Sequence, residues 1–159
     1  MENNPDVQIG QPAPDFTLEN ENGEKIRLSD FRGRVVVLMF YPFDWSGLCT
    51  EELCTLRDNL PRWEDVGATV FGISRDSKYS HRAWKEHLGL GYSLLADLRG
   101  DVAKTYGAWN EAAYRADRMT VVIDPEGIVR YVVHNDSGTK RDQEQILDAV
   151  RALTPTGAR

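Results

Sequence analysis

Three unbroken apolar runs rich in β-branched residues constrain the fold of this chain most. They are Val35-Val36-Val37-Leu38-Met39-Phe40, Ala68-Thr69-Val70-Phe71-Gly72-Ile73 and Met119-Thr120-Val121-Val122-Ile123. A strand with one wet face alternates apolar and polar residues, whereas a strand that is apolar throughout needs cover on both faces. A sheet clad by helices on both sides supplies that cover. Helical patterns fall where it requires them, at about 50–63, 79–87, 102–106 and 141–153. The turn Asp124-Pro125-Glu126-Gly127 joins the third run to 128–133 and predicts a late antiparallel hairpin. Upstream, 11–17 reads as a loop entering a short strand, 18–23 as a turn, and 25–28 as the second arm of an N-terminal hairpin. The expected class is α/β with a mixed central sheet.

The 159 residues form one domain's worth of chain, expected to span 1–159 with an ordered core over about 9–154 and polar tails. A net charge of −6 argues against nucleic acid and anionic membranes as partners. No stretch approaches the roughly 20 apolar residues of a membrane span. The first six residues carry no basic-then-apolar leader pattern, so a cytoplasmic, reducing location is the expectation. In such a compartment two cysteines are expected to be core fillers, metal ligands or redox catalysts rather than a static disulfide. His81, His87 and His134 are scattered, and Cys-x4-Cys is a poor zinc half-site, so no metal is expected.

The segment after the first core strand carries most of the chemistry. At 100° per residue Cys49, Leu53, Leu56, Leu60 and Trp63 share one face of a helix. Cys49 then sits at the helix N-terminus on the inner side, where unsatisfied N–H groups and the helix dipole favour thiolate over thiol. A small apolar filler facing the core fits the same position. Cys54 lies about 140° around the helix from Cys49, away from the leucine stripe. Residues five apart in a helix have Cα atoms roughly 8–9 Å apart with diverging side chains. A disulfide needs about 4.4–6.8 Å. Bonding Cys49 to Cys54 therefore requires the first turn or two to unwind, which helix ends permit at low free-energy cost.

The pattern Pro42-x-x-x-Ser46-x-x-Cys49 resembles the active-site motif of the peroxiredoxins, Pro-x-x-x-Thr/Ser-x-x-Cys. Glu52 matches the glutamate three residues beyond the reactive cysteine, and Arg118 the arginine that opens a core strand. Ala13-Pro14-Asp15-Phe16-Thr17-Leu18 and Lys104-x-Tyr106-Gly107 resemble further family tags, so the resemblance covers about 10–153. The Cys49-x4-Cys54 spacing is similar to the bacterioferritin comigratory (Q-type) branch. Leu56-Arg57-Asp58-x-Leu60-Pro61 and Tyr106-Gly107-x-x-Asn110-Glu111 look more like E-type alkyl hydroperoxide reductases.

The resemblance implies a thioredoxin-like fold and a peroxidase acting on hydrogen peroxide, alkyl hydroperoxides or peroxynitrite, with no cofactor. Cys49 would attack, Cys54 would resolve, and a thioredoxin-like or glutaredoxin-like dithiol protein would reduce the product. Arg118, the Ser46 hydroxyl and the Cys49 N–H would follow the moving charge, Pro42 would shield the sulfur, and Glu52 would hold Arg118 or a neighbouring arginine in place. The reading needs Arg118 close to a sulfur that peroxide can reach. Other readings are a one-cysteine peroxidase, a thiol–disulfide oxidoreductase, which would want Cys-x-x-Cys, a non-catalytic redox sensor, and a metal module. A monomer and a homodimer are both compatible with the sequence.

Overall fold

The computed structural model describes residues 7–135 and 139–153; the polar tails at 1–6 and 154–159 lie outside them. The short strands β1 (Thr17–Asn20) and β2 (Lys25–Arg27) pair as the N-terminal hairpin, and a 3-10 turn (Leu28–Phe31) follows. Then come β3 (Val35–Phe40), α1 (Gly47–Asp65), β4 (Ala68–Ser74), α2 (Lys78–Leu88), β5 (Ser93–Ala96) and α3 (Asp101–Tyr106). The chain continues through β6 (Trp109–Asn110), β7 (Arg115–Ala116), β8 (Arg118–Ile123), β9 (Val129–Asn135) and α4 (Gln143–Arg151).

Seven strands form one sheet in the order β2-β1-β5-β4-β3-β8-β9. Strands β3, β4 and β5 run parallel, while β8 pairs antiparallel with β3 and β9 with β8. This is a thioredoxin-like mixed sheet with helices on both faces. The faces explain the apolar runs. Val36, Leu38 and Phe40 enter the core shared with α3, through Val102, Ala103 and Tyr106. Val35, Val37 and Met39 enter the opposite core, with Leu53, Leu56 and Trp63 of α1, Trp84 of α2 and Ile146, Leu147 and Val150 of α4. Every residue of β3 and of β8 is buried.

The turn at 124–127 closes by a 2.9 Å bond from the Gly127 N–H to the Asp124 carbonyl. Residues 7–10 are tied to the body of the fold, ahead of the expected core boundary at about 9. Val7 is buried, and the Gly10 N–H donates to the Val129 carbonyl at 2.8 Å. Strand β5 and the small β6–β7 hairpin were not legible as strands in the sequence. Gly72 in β4 has structural work to do, because a Cβ there would stand 3.2 Å from the Tyr41 ring and 2.8 Å from Leu94. The Tyr41 ring therefore lies close over the strand, at the entrance to the loop that leads into α1.

Candidate active site

Strand β3 ends at Phe40, and residues 41–46 carry the chain into α1. The helix begins at Gly47, three residues before the sequence suggests, so Cys49 is the third helical residue. Ser46 is the N-cap but does not cap with its side chain. Its hydroxyl donates to the Phe43 carbonyl at 3.2 Å, while its own carbonyl accepts from the Thr50 hydroxyl at 2.7 Å. The hydroxyl would have to turn to serve Cys49 or a bound peroxide. Pro42, expected as a shield, is buried in the same loop.

Arg118, the first residue of β8, reaches across to α1. Its Nη1 donates to Cys49 Sγ at 3.2 Å and to Glu52 Oε1 at 2.9 Å. Glu52 projects inward one turn after Cys49 and is 2% exposed, which makes it a buried counterion rather than a surface pair partner. Its second oxygen accepts the backbone N–H of Arg141 at 2.6 Å, and Gln143 Nε2 donates to its carbonyl at 3.0 Å.

Sequence reasoning missed the second arginine. It assigned Arg141 to the start of the last helix, yet α4 begins at Gln143 with Asp142 as a true cap, accepting from the Gln145 N–H at 3.1 Å. The Arg141 guanidinium is fully buried and donates to Glu52 at 3.3 Å, the Met119 carbonyl at 3.0 Å, the Thr120 hydroxyl at 2.9 Å and the Phe40 carbonyl. Burial pushes it below the usual arginine range, against the pull of the Glu52 carboxylate. The only sequence signal was that Glu52 needed a neighbouring arginine.

Cys49 itself is 0% exposed and belongs to the core cluster that includes Met39, Tyr41 and Leu53. The sequence places Cys49 on the inner side of the helix but needs a sulfur that peroxide can reach; in this conformation the thiol is closed off. Cys54 is half-buried on another side of the helix, and both cysteines are free. Cys54 acts electrostatically on Tyr92, whose hydroxyl donates to the Leu53 carbonyl at 2.8 Å and whose ionisation is pushed well up, first by burial. Of the aromatic residues near the motif, Tyr41 and Trp84 are buried in the core, whereas Trp45 is 53% exposed and takes a positive φ of 71°.

The described residues contain no group of three or more His, Cys, Asp and Glu side chains placed to hold a metal. No described helix is long and apolar enough to cross a membrane.

Comparison with known proteins decides what this arrangement belongs to. Residues 9–132 match the model of the AhpC/TSA family. The chain belongs to the peroxiredoxins. It is 38% identical to alkyl hydroperoxide reductase E of Mycobacterium tuberculosis, over 93% of this chain and 99% of the relative. It is 35% identical to the chloroplastic peroxiredoxin Q of Suaeda salsa, over 92% of this chain and 69% of that one. Among solved structures, peroxidoxin BcpB of Mycobacterium tuberculosis superposes with a TM-score of 0.83 at 30% identity, covering 94% of this chain and 99% of that one. Enterococcus faecalis AhpC superposes with a TM-score of 0.84 at 31% identity, covering 92% of each chain. This peroxiredoxin is thus a thiol-dependent peroxidase with similarity to both the E-type and Q-type relatives.

Proposed function

We propose that Cys49 is the peroxide-reducing thiol, that Cys54 resolves it, and that hydrogen peroxide and alkyl hydroperoxides are the substrates. The observation that carries the first part is the 3.2 Å contact between Arg118 Nη1 and Cys49 Sγ. The Cys49 thiolate attacks the distal peroxide oxygen, an S–O bond forms, the O–O bond breaks, and the leaving oxygen takes a proton to depart as water or alcohol. Charge moves from sulfur toward the departing oxygen. A guanidinium already touching the sulfur is placed to follow it without reorganisation, since it keeps its charge and offers several rigid donors. Glu52 and Arg141 hold Arg118 in place. The Cys49 N–H and the Ser46 hydroxyl, once turned, are further donors, and Pro42 keeps water from the sulfur. Because Cys49 is enclosed, peroxide enters when side chains packed round the sulfur move aside.

The Cys54 thiolate then attacks the Cys49 sulfenic sulfur, an S–S bond forms, and hydroxide leaves as water after protonation. Unwinding α1 for this step breaks the Tyr92–Leu53 and Gln143–Glu52 bonds and the Glu52 pairing. Those ties favour the one-cysteine alternative, in which Cys49 sulfenic acid is reduced directly by an external thiol. A thioredoxin-like or glutaredoxin-like dithiol protein completes either cycle by reducing the oxidised sulfur. The reading needs no cofactor and fits a cytoplasmic monomer or homodimer.

Peroxide titration with intact-mass readout tests the whole reading. One equivalent should convert wild type to a species two hydrogens lighter, while Cys54→Ser should stop one oxygen heavier. Cys49→Ser consuming peroxide at the parental rate would refute the nucleophile. A wild type that accumulates sulfenic acid with Cys54 free would refute the resolver and leave the one-cysteine cycle.

A further inference from the structure

A second buried polar network lies outside the Arg118–Glu52–Arg141 cluster, and it grips the loop that leads into the helix end carrying Cys49. Asp44, two residues before the helix cap, has a fully buried side chain. Its Oδ1 accepts from the Tyr41 hydroxyl at 2.6 Å. Its Oδ2 accepts from the Ser80 hydroxyl at 2.9 Å and stands 2.7 Å from His81 Nδ1. Its backbone N–H donates to Asp76 Oδ2 at 2.7 Å, an oxygen that also receives the Ser74 hydroxyl at 2.6 Å.

His81 is 0% exposed, and its Nε2 stands 3.0 Å from the Leu95 carbonyl of β5. A carbonyl can only accept, so Nε2 carries a proton and donates. Nδ1 then either donates to the Asp44 carboxylate or accepts from its protonated form, and in both cases one proton bridges the pair. Burial, then the Asp44 charge, pushes the Tyr41 hydroxyl well above its ordinary value, keeping it a neutral donor.

Helix α2 grips the same loop further along. The Trp45 ring packs against His87 at 5.4 Å and Trp84 at 6.3 Å between centroids. Trp45 holds a left-handed backbone that a non-glycine residue adopts only when its surroundings impose it. The loop is thus pinned at Asp44 and at Trp45, and only four residues lie between Asp44 and Cys49. The catalytic role assigned to Cys49 does not itself require His81, which lies 32 residues away in the chain and contacts neither Cys49 nor Arg118 through any described bond.

We propose that His81 is a positioning residue for Cys49, acting through Asp44 to hold residues 42–46 in the reactive arrangement. This rests on the reading of Cys49 as the reacting thiol. The consequence is that α2 and β5, which supply nothing to the reacting atoms, set how well the thiol meets Arg118 and peroxide.

Two substitutions separate positioning from packing. In His81→Asn the amide nitrogen takes the place of Nδ1 and keeps the donor to Asp44; in His81→Gln it takes the place of Nε2 and keeps only the Leu95 bond. Both remove a buried ring and should lower the melting temperature. Stopped-flow measurement of Cys49 oxidation should find His81→Gln slower by on the order of 10- to 100-fold, the effect expected of a displaced reacting group, and His81→Asn near the wild-type rate. Equal rates in the two variants, or a loss that tracks melting temperature alone, would overturn the proposal. Should the ring prove indispensable for folding, Ser80→Ala carries the test from a half-buried site on the same helix. It removes the donor sharing Oδ2 with His81 and should slow oxidation about fivefold, the equivalent of one ordinary hydrogen bond; an unchanged rate overturns the proposal. Cys49→Ser, run alongside, reports separately on whether Cys49 is the reacting thiol.

Discussion

Two guanidinium groups converge on one carboxylate at the buried end of α1, and the sulfur shares the nearer of them. Removing Arg118 with Arg118→Met should leave the fold intact by circular dichroism but slow Cys49 oxidation by on the order of 10²–10³-fold, the cost of losing one preorganised charge-stabilising donor. Stopped-flow tryptophan fluorescence can follow this, because Trp45 sits on the same loop. Glu52→Ala should act on stability as well, since it removes the buried carboxylate that both arginines, 3% and 6% exposed, donate to. Breaking a buried pair in this way costs about 3–5 kcal/mol, measurable by urea unfolding. At this scale the sequence was informative where residues are neighbours. Pro42, Ser46, Cys49 and Glu52 fall within one short motif, and Arg118 was placed by its position at a strand start. Arg141, Asp44 and His81 were not legible, because their partners are distant in the chain: Arg141 meets the Phe40 carbonyl 101 residues away and His81 meets Asp44 37 residues away. In isolation each is an ordinary polar residue beside a helix.

Among the elements, the β8–β9 hairpin shows how a single turn residue carries a pH dependence. Burial pushes the Asp124 carboxyl up, but the Ile128 N–H, the Arg130 guanidinium and the Glu126 N–H outweigh it and hold the group below its ordinary 3.8. A carboxyl depressed in the folded state adds stability above its unfolded value and loses that contribution as pH falls through the folded one. Asp124→Asn should therefore be less stable than wild type at pH 7, with the gap closing below about pH 4, as followed by thermal melts across pH. A constant gap would remove the carboxylate from the account. The elements also show why some strands escaped notice. Ser93-Leu94-Leu95-Ala96 has neither β-branched residues nor alternation, and its strand form comes from parallel pairing with β4 and antiparallel pairing with β1. Helix α1 runs past its apolar stripe at both ends, from Gly47 to Asp65, with Pro61 inside it.

Taken as a whole, the molecule is a closed form. A mixed sheet with helices on both faces followed from the three apolar runs and the helical patterns between them, but the strand order did not, and neither did the enclosure of Cys49, which depends on how the side chains of the core close round the sulfur. The closed form predicts an inverted order of reactivity. A bulky maleimide should label half-buried Cys54 well before Cys49 in the reduced protein, even though hydrogen peroxide oxidises Cys49 first. Peptide mass mapping after timed alkylation reads this directly, and early labelling of Cys49 would mean that the site stands open at rest.

On the proposed chemistry the Cys49 thiolate and Glu52 are two anions that both accept from Arg118 at the buried end of α1. Capture of an oxygen would turn the sulfur into a neutral acid and so remove one of those two anions from a water-poor setting. On the proposed cycle, oxidation would then loosen the turn that Cys54 needs released, and the electrostatics of the oxidised site would lower the cost of the resolving step. A neutral mimic should show the same slackening: amide exchange across 47–54 should quicken in Cys49→Ser, and exchange as slow as in the wild type would mean that the charge balance does not govern that turn.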